Sequence, residues 1–202
     1  MPNFCNNKEC EDRLSYLPTT DGKFRRYEQL GLRVRSFVRL NIHEKLEPFK
    51  LAEVIGLKVL TPEMIDGLSD QAKRILSDPS LFWSGGATPE LSDGTRVVVL
   101  NSLQSPGRQA ATLMEEICHV LLGHQHSRIA EQADAGNRDF HDQIEEEAYS
   151  VGAAALVPYR SLFCDLSRGR SIRDIARHFG VTTSLVKYRI RVLHLMSLAV
   201  GT

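Results

Sequence analysis

Apolar and polar positions recur along the chain with two different periods. Between Arg25 and His43 the residues Leu30, Val34, Phe37, Val38, Leu40 and Ile42 follow helical spacing. Pro48 opens a shorter helix through Val54 and Ile55, which Gly56 closes, and Lys58-Val59-Leu60 reads as a short strand. Thr61-Pro62 has the form of an N-cap followed by a first-turn proline, so a helix is expected from there to about Leu76. Two β-prone runs come next, Leu81–Ser84 and Arg96–Leu100. Gly85, Gly86, Pro89, Asp93 and Gly94 lie between them, which predicts a hairpin. Pro106-Gly107 introduces a long helix to about Leu122, and residues 125–140 read as a polar loop. A second long helix is expected from about His141 to Leu156, stopped by Pro158, and the remainder is helical with breaks at Gly169 and Gly180. The sum is an α+β fold, mostly helical, with a small antiparallel sheet. Residues 1–24 read as a polar leader, 25–158 as the main domain and 159–202 as a helical C-terminal segment.

Composition narrows the function classes. At 202 residues the chain can bury a core without disulfide or metal staples. Lys plus Arg equals Asp plus Glu, 25 each, which excludes an overall polycation that coats nucleic acid. No apolar run approaches the roughly 20 residues that span a bilayer. The start, Met1-Pro2-Asn3-Phe4-Cys5, lacks an apolar signal core. The expected setting is the cytoplasm, without a membrane partner. Cys5, Cys10, Cys118 and Cys164 form no Cys-x-x-Cys pair and are expected as reduced thiols.

The segment Ala111 to His124 carries the candidate chemistry. On a helical wheel Leu113, Ile117, Val120 and Leu121 gather on one side, and Thr112, Glu115, Glu116 and His119 on the other. Glu115 and His119, four residues apart, can reach one ion, and Glu116 can touch a water on it. This is the geometry of His-Glu-x-x-His zinc peptidases, with Glu115 at the first histidine position. Carboxylate oxygen is an accepted zinc ligand, but the extra negative charge makes the ion less electrophilic and favours a harder one such as Mn2+. The plain alternative is a solvated Glu-Glu face with a structural histidine.

The helix around residues 144–156 weighs against that alternative. Its apolar arc is Ile144, Ala148, Val151 and Ala155, and Glu147 lies beside the arc, with Glu146 nearly opposite and Glu145 at the margin. A carboxylate facing a packing stripe is costly unless it is paired or holds a metal, so Glu147 is the natural third ligand. Small residues there permit close helix approach. His124 does not match the metzincin spacing. It serves as a substitute ligand only if the helix ends at Gly123.

These residues resemble the ImmA/IrrE family of metallopeptidases. Arg108 to His124 resembles that family's active-site helix. Glu145-x-Glu147-Ala148, followed by Gly152-Ala153-Ala154-Ala155-Leu156-Val157-Pro158, resembles its third-ligand helix. The resemblance implies a zincin-like domain with Zn2+ as cofactor. In it Glu116 is the catalytic general base, and Glu115, His119 and Glu147 are the metal ligands. It further implies an endopeptidase whose protein substrate is a regulator such as a DNA-binding transcriptional repressor, and it places Val97–Leu100 near the cleft with a free strand edge for substrate.

The tail from Ser171 to Val186 has helix-turn-helix spacing, with Ala176 at the crossing, Gly180 at the turn and Ser171 and Thr182 as N-caps. Arg168, Arg170, Arg173, Arg177, Lys187, Arg189 and Arg191 face one acid, Asp174, over this stretch. DNA is therefore a second candidate partner. The apolar surface of Ile172, Ile175, Phe179, Val181, Val186, Ile190 and Leu193 favours a tail docked on the helix of residues 158–166. Two readings stand: a metal-dependent peptidase, and an inactive peptidase-like regulator that binds a protein or DNA.

Overall fold

The computed structural model describes residues 22–76, 78, 83–88, 91–124 and 135–199, with main chain only over 135–141. Cys5, Cys10, Leu81, Phe82 and most of the expected leader lie outside these residues. The elements are α1 (Gly22–Phe37), α2 (Pro48–Val54), β1 (Leu57–Leu60), a 3-10 turn (Pro62–Met64), α3 (Asp70–Leu76), β2 (Gly85–Ala87), β3 (Arg96–Leu100), α4 (Pro106–Leu121), α5 (Ala135–Leu156), α6 (Tyr159–Ser167), α7 (Ile172–Phe179), α8 (Thr183–Val192) and α9 (Met196–Ala199). The class is α+β, mostly helical, as expected. The chain groups into two units, Glu47–Gly152 and the remainder (Met1–Leu46 with Ala153–Thr202).

In the Glu47–Gly152 unit the sheet order is β1-β3-β2. The β2/β3 pair is antiparallel, as a hairpin requires, but β1 pairs β3 in parallel, so the sheet is mixed. The described hairpin strand is Gly85–Ala87, residues that read as connector. Gly85 has a packing role there: a Cβ would stand 2.8 Å from Thr112 Cγ2 and 2.9 Å from Leu100 Cδ2. Glycine thus admits α4 against the sheet. Because β3 is central, Val97–Leu100 offers no free edge; among the described residues the outer strands are β1 and β2. The single helix expected over 61–76 is split, with Gly67 in the left-handed region at φ 77° between the 3-10 turn and α3.

The core of this unit is Leu51, Ala52, Val98, Leu100, Leu113, Met114, Ile117 and Cys118, with Ala148 and Val151 from α5. The buried face of α4 is thus centred on Leu113, Met114, Ile117 and Cys118, while Leu121 is 39% exposed. Gly152 lets α5 approach α4: a Cβ there would stand 3.3 Å from the Met114 carbonyl oxygen.

In the other unit, Gly31 takes α1 onto the end of α5, since any Cβ would meet the Ala155 nitrogen at 2.8 Å. Arg35, buried, donates to the Ala155 carbonyl at 2.6 Å and to the carbonyls of Asn41 and Glu44. Burial pulls its pKa down to about 10, so it stays cationic at neutral pH. A second buried cation, Arg189, pairs with Glu28 and donates to the Val157 carbonyl at 3.0 Å. Glu28 also accepts from the Tyr159 main-chain N–H at 2.6 Å. In α7 and α8 the Ser171 and Thr182 side chains cap as expected, accepting from Asp174 and Leu185 main-chain N–H groups. Gly180 ends α7 at φ 68°.

Candidate metal centre

The candidate residues lie on α4, on α5 and at the turn that ends α4. Ala111, Leu113, Met114, Ile117 and Cys118 pin α4 to the core, so Glu115, Glu116 and His119 come out on its other side, half-buried. The end of α4 is a Schellman motif. Gly123, at φ 70°, donates to Val120 at 3.2 Å, and the His124 N–H returns to the His119 carbonyl at 2.9 Å. The helix does not run on through His124; the turn folds that residue back over the preceding one.

The consequence is a chain of four side chains. His119 Nε2 lies 3.5 Å from Glu145 Oε2, and His124 Nε2 lies 3.4 Å from Glu147 Oε2. The two imidazoles face each other, Nδ1 to Nδ1 at 3.1 Å, with ring centroids 5.1 Å apart. Glu147, placed by sequence beside the packing stripe, therefore stands next to His124. The carboxylate next to His119 is Glu145, which the helical wheel left at the margin. Glu145 is 57% exposed in its side chain, against 19% for Glu147, whose Oε1 is turned away from solvent.

Glu115 and Glu116 are tuned by the same surroundings. Burial, then the negative charges of Glu116 and Glu145, push Glu115 up to about 7, with Arg108 opposing. Burial, then Glu145, pushes Glu116 up to about 7 as well. Such a group is half ionised near neutrality, where a general base works best.

The donors fit a divalent metal in kind, since imidazole nitrogen and carboxylate oxygen are zinc's usual ligands. They are not gathered around one point: among the described residues no three His, Cys, Asp or Glu side chains form a ready metal-binding group. The reason is visible in the contacts. Each imidazole engages the other through Nδ1 and a different carboxylate through Nε2, so the donors pair off. Sequence reading missed Glu145, because a wheel locates a side chain only relative to its own helix. Cys118, one residue from His119, is a buried free thiol whose pKa burial drives up. It is core rather than ligand.

The basic tail is altered as a DNA surface. Arg189 is 1% exposed and engaged by Glu28, so it cannot reach a phosphate, whereas Arg173, Arg177, Lys187 and Arg191 are exposed. No described helix is long and apolar enough to cross a membrane.

Comparison with known proteins adds three findings. The peptidase M78 family model, described as the IrrE N-terminal-like domain, matches residues 52–191. The radiation response metalloprotease IrrE of Deinococcus deserti is 32% identical over 99 residues, 46% of this chain and 35% of that protein. A Mycobacterium tuberculosis transcriptional regulator has a similar fold, with a TM-score of 0.55 at 18% identity, over 82% of this chain and 46% of that one. The match to the Deinococcus protein thus covers about a third of that relative's length.

Proposed function

The chain belongs to the IrrE N-terminal-like peptidase family, and from that premise we propose that it is a metal-dependent endopeptidase acting on a regulatory protein. A DNA-binding repressor is the substrate class this reading favours. The observation that carries it is Glu116: a half-buried carboxyl raised to about 7, three residues before His119 and near the Glu145 carboxylate of α5. That is the tuning a general base needs, and a solvated surface glutamate lacks it.

In this reading His119 and Glu147 hold the metal, and Glu115 takes the place of the family's first histidine. Zn2+ is the expected ion, with Mn2+ the alternative that a carboxylate-rich donor set favours. When bound, the ion supplies Lewis acidity toward a peptide carbonyl. Glu116 takes a proton from the attacking water at its carboxylate and passes it to the departing amine. The apolar face of α4 fixes the spacing of Glu116 and His119, and the close approach at Gly152 holds α5 against them. An outer strand of the sheet among the described residues, β1 or β2, aligns an extended substrate segment by main-chain pairing.

The test is cleavage of a candidate repressor by wild type and by Glu116→Gln, with and without chelator. Loss of a general base costs about 10²–10⁴-fold in rate. The expected result is chelator-sensitive cleavage that Glu116→Gln abolishes. Equal rates for the two proteins would remove Glu116 from the role. The paired-off donors favour one second reading, a peptidase-like regulator that binds its partner without cutting it. Stable binding of the same repressor without cleavage would establish that reading instead.

A further inference from the structure

We infer that His124 is a metal ligand of this chain, supplying with His119 the second imidazole that Glu115 displaces. The inference rests on the metal-dependent reading and amends its donor set.

Three observations carry it. The first is local. Leu122-Gly123-His124 ends α4 in a Schellman turn, and the bond from the His124 N–H to the His119 carbonyl fixes the residue over the last turn. A helix continuing through Gly123 would carry His124 to the wrong side; the left-handed glycine brings it back. The second is spacing. Two donors about 2.1 Å from a tetrahedral ion stand roughly 3.4 Å apart. The Glu145–His119, His119–His124 and His124–Glu147 contacts measure 3.5, 3.1 and 3.4 Å. The His124 ring thus lies between two proposed ligands, His119 on its Nδ1 side and Glu147 on its Nε2 side, and the His124 Nε2–Glu147 Oε2 pair already has the separation of two ligands on one ion. The third is donor chemistry. Replacing the family's first histidine by Glu115 removes a neutral nitrogen donor and puts an acidic oxygen in its place. His124, its side chain 9% exposed and its Nε2 3.4 Å from Glu147 Oε2, restores the nitrogen and brings Glu147 with it. The ion must displace the imidazole–imidazole hydrogen bond, after which both rings present a nitrogen.

The experiment measures zinc affinity by chelator competition, and the visible spectrum of the Co2+-loaded protein, for wild type, His124→Ala, His124→Cys and Glu115→Gln. Thermal melts confirm that each variant is folded. We expect His124→Ala to weaken zinc at least about 100-fold, above what loss of a supporting partner typically costs, and Glu115→Gln to change it less than about tenfold. His124→Cys should keep the metal and add a thiolate-to-Co2+ charge-transfer band absent from wild type. If Glu115→Gln causes the large loss, and His124→Ala and His124→Cys leave affinity and spectrum unchanged, the inference is overturned while the metal-dependent reading stands. If wild type takes up neither Zn2+ nor Co2+, the metal-dependent reading fails, and this inference with it.

Discussion

Replacing Arg189 by alanine should cost far more than an arginine in a basic tail normally does. The guanidinium is 1% exposed, and its partner Glu28 is fully buried. Removal leaves the Glu28 carboxylate out of water with the Tyr159 N–H as its remaining donor, and leaves the Val157 carbonyl without the 3.0 Å bond from Nε. Breaking a buried pair by deleting one partner typically costs about 3–5 kcal/mol. For a chain of this size that is a fall in melting temperature of about 6–20 °C. Thermal and urea unfolding followed by circular dichroism read the loss directly. The double variant Glu28→Leu/Arg189→Met, which removes both charges and refills the volume, should recover most of it, because the cost lies in the orphaned charge. A loss below about 1 kcal/mol, the range of an exposed ion pair, would refute the buried-clamp account. A double variant as unstable as the single one would show that shape rather than charge is at stake.

Three further outcomes are expected. In metal-free protein, Glu115 and Glu116 are raised from 4.5 to about 7 in the folded state, so between those values the folded form binds more protons and stability should rise as pH falls from 7.5 to 5. Urea midpoints of the Glu115→Gln/Glu116→Gln variant should lack that contribution, and an unchanged pH slope would remove its cause. Conversion of Glu115 to His should raise zinc affinity by trading a charged oxygen ligand for a neutral imidazole; unchanged or weaker binding by chelator competition would count against the site. Finally, with Arg189 buried, phosphate contacts through the exposed Arg177, Lys187 and Arg191 would give DNA binding a salt dependence of about 2.7 log units per log unit of salt. Weak, unselective binding to operator-like fragments is expected in gel shifts, and tight, sequence-selective binding would move the regulator reading to first place.

The readable parts of the sequence were those in which local chemistry decides the outcome. Ser171 and Thr182 carry their own capping oxygens, Gly180 tolerates φ 68°, and Pro106 starts α4 close to where helix propensity puts it. The α4 stripe of Glu115, Glu116 and His119 was legible because its spacing is intrinsic to the helix. What escaped depends on partners distant in the chain. Gly85–Ala87 looks like a turn until Thr112 and Leu100 are seen to leave no room for a side chain. Arg189 looks like a phosphate contact until Glu28, 161 residues away, receives it. Glu145 and Glu147 differ by two residues on one helix, and only the packing of α5 on α4 assigns one to His119 and the other to His124. The expected loop over 125–140 yields to helix from Ala135, where polar periodicity gave no apolar stripe to follow; residues 125–134 lie outside the described set.

The central claim is that α4 and α5 form a metal-dependent centre, and an equilibrium zinc titration of the purified chain tests it most directly. The account predicts one Zn2+ per chain, with binding lost in His119→Ala and kept in Glu116→Gln, since it proposes His119 as a donor and Glu116 as the base. No saturable zinc binding by wild type, or equal binding by His119→Ala, would contradict it.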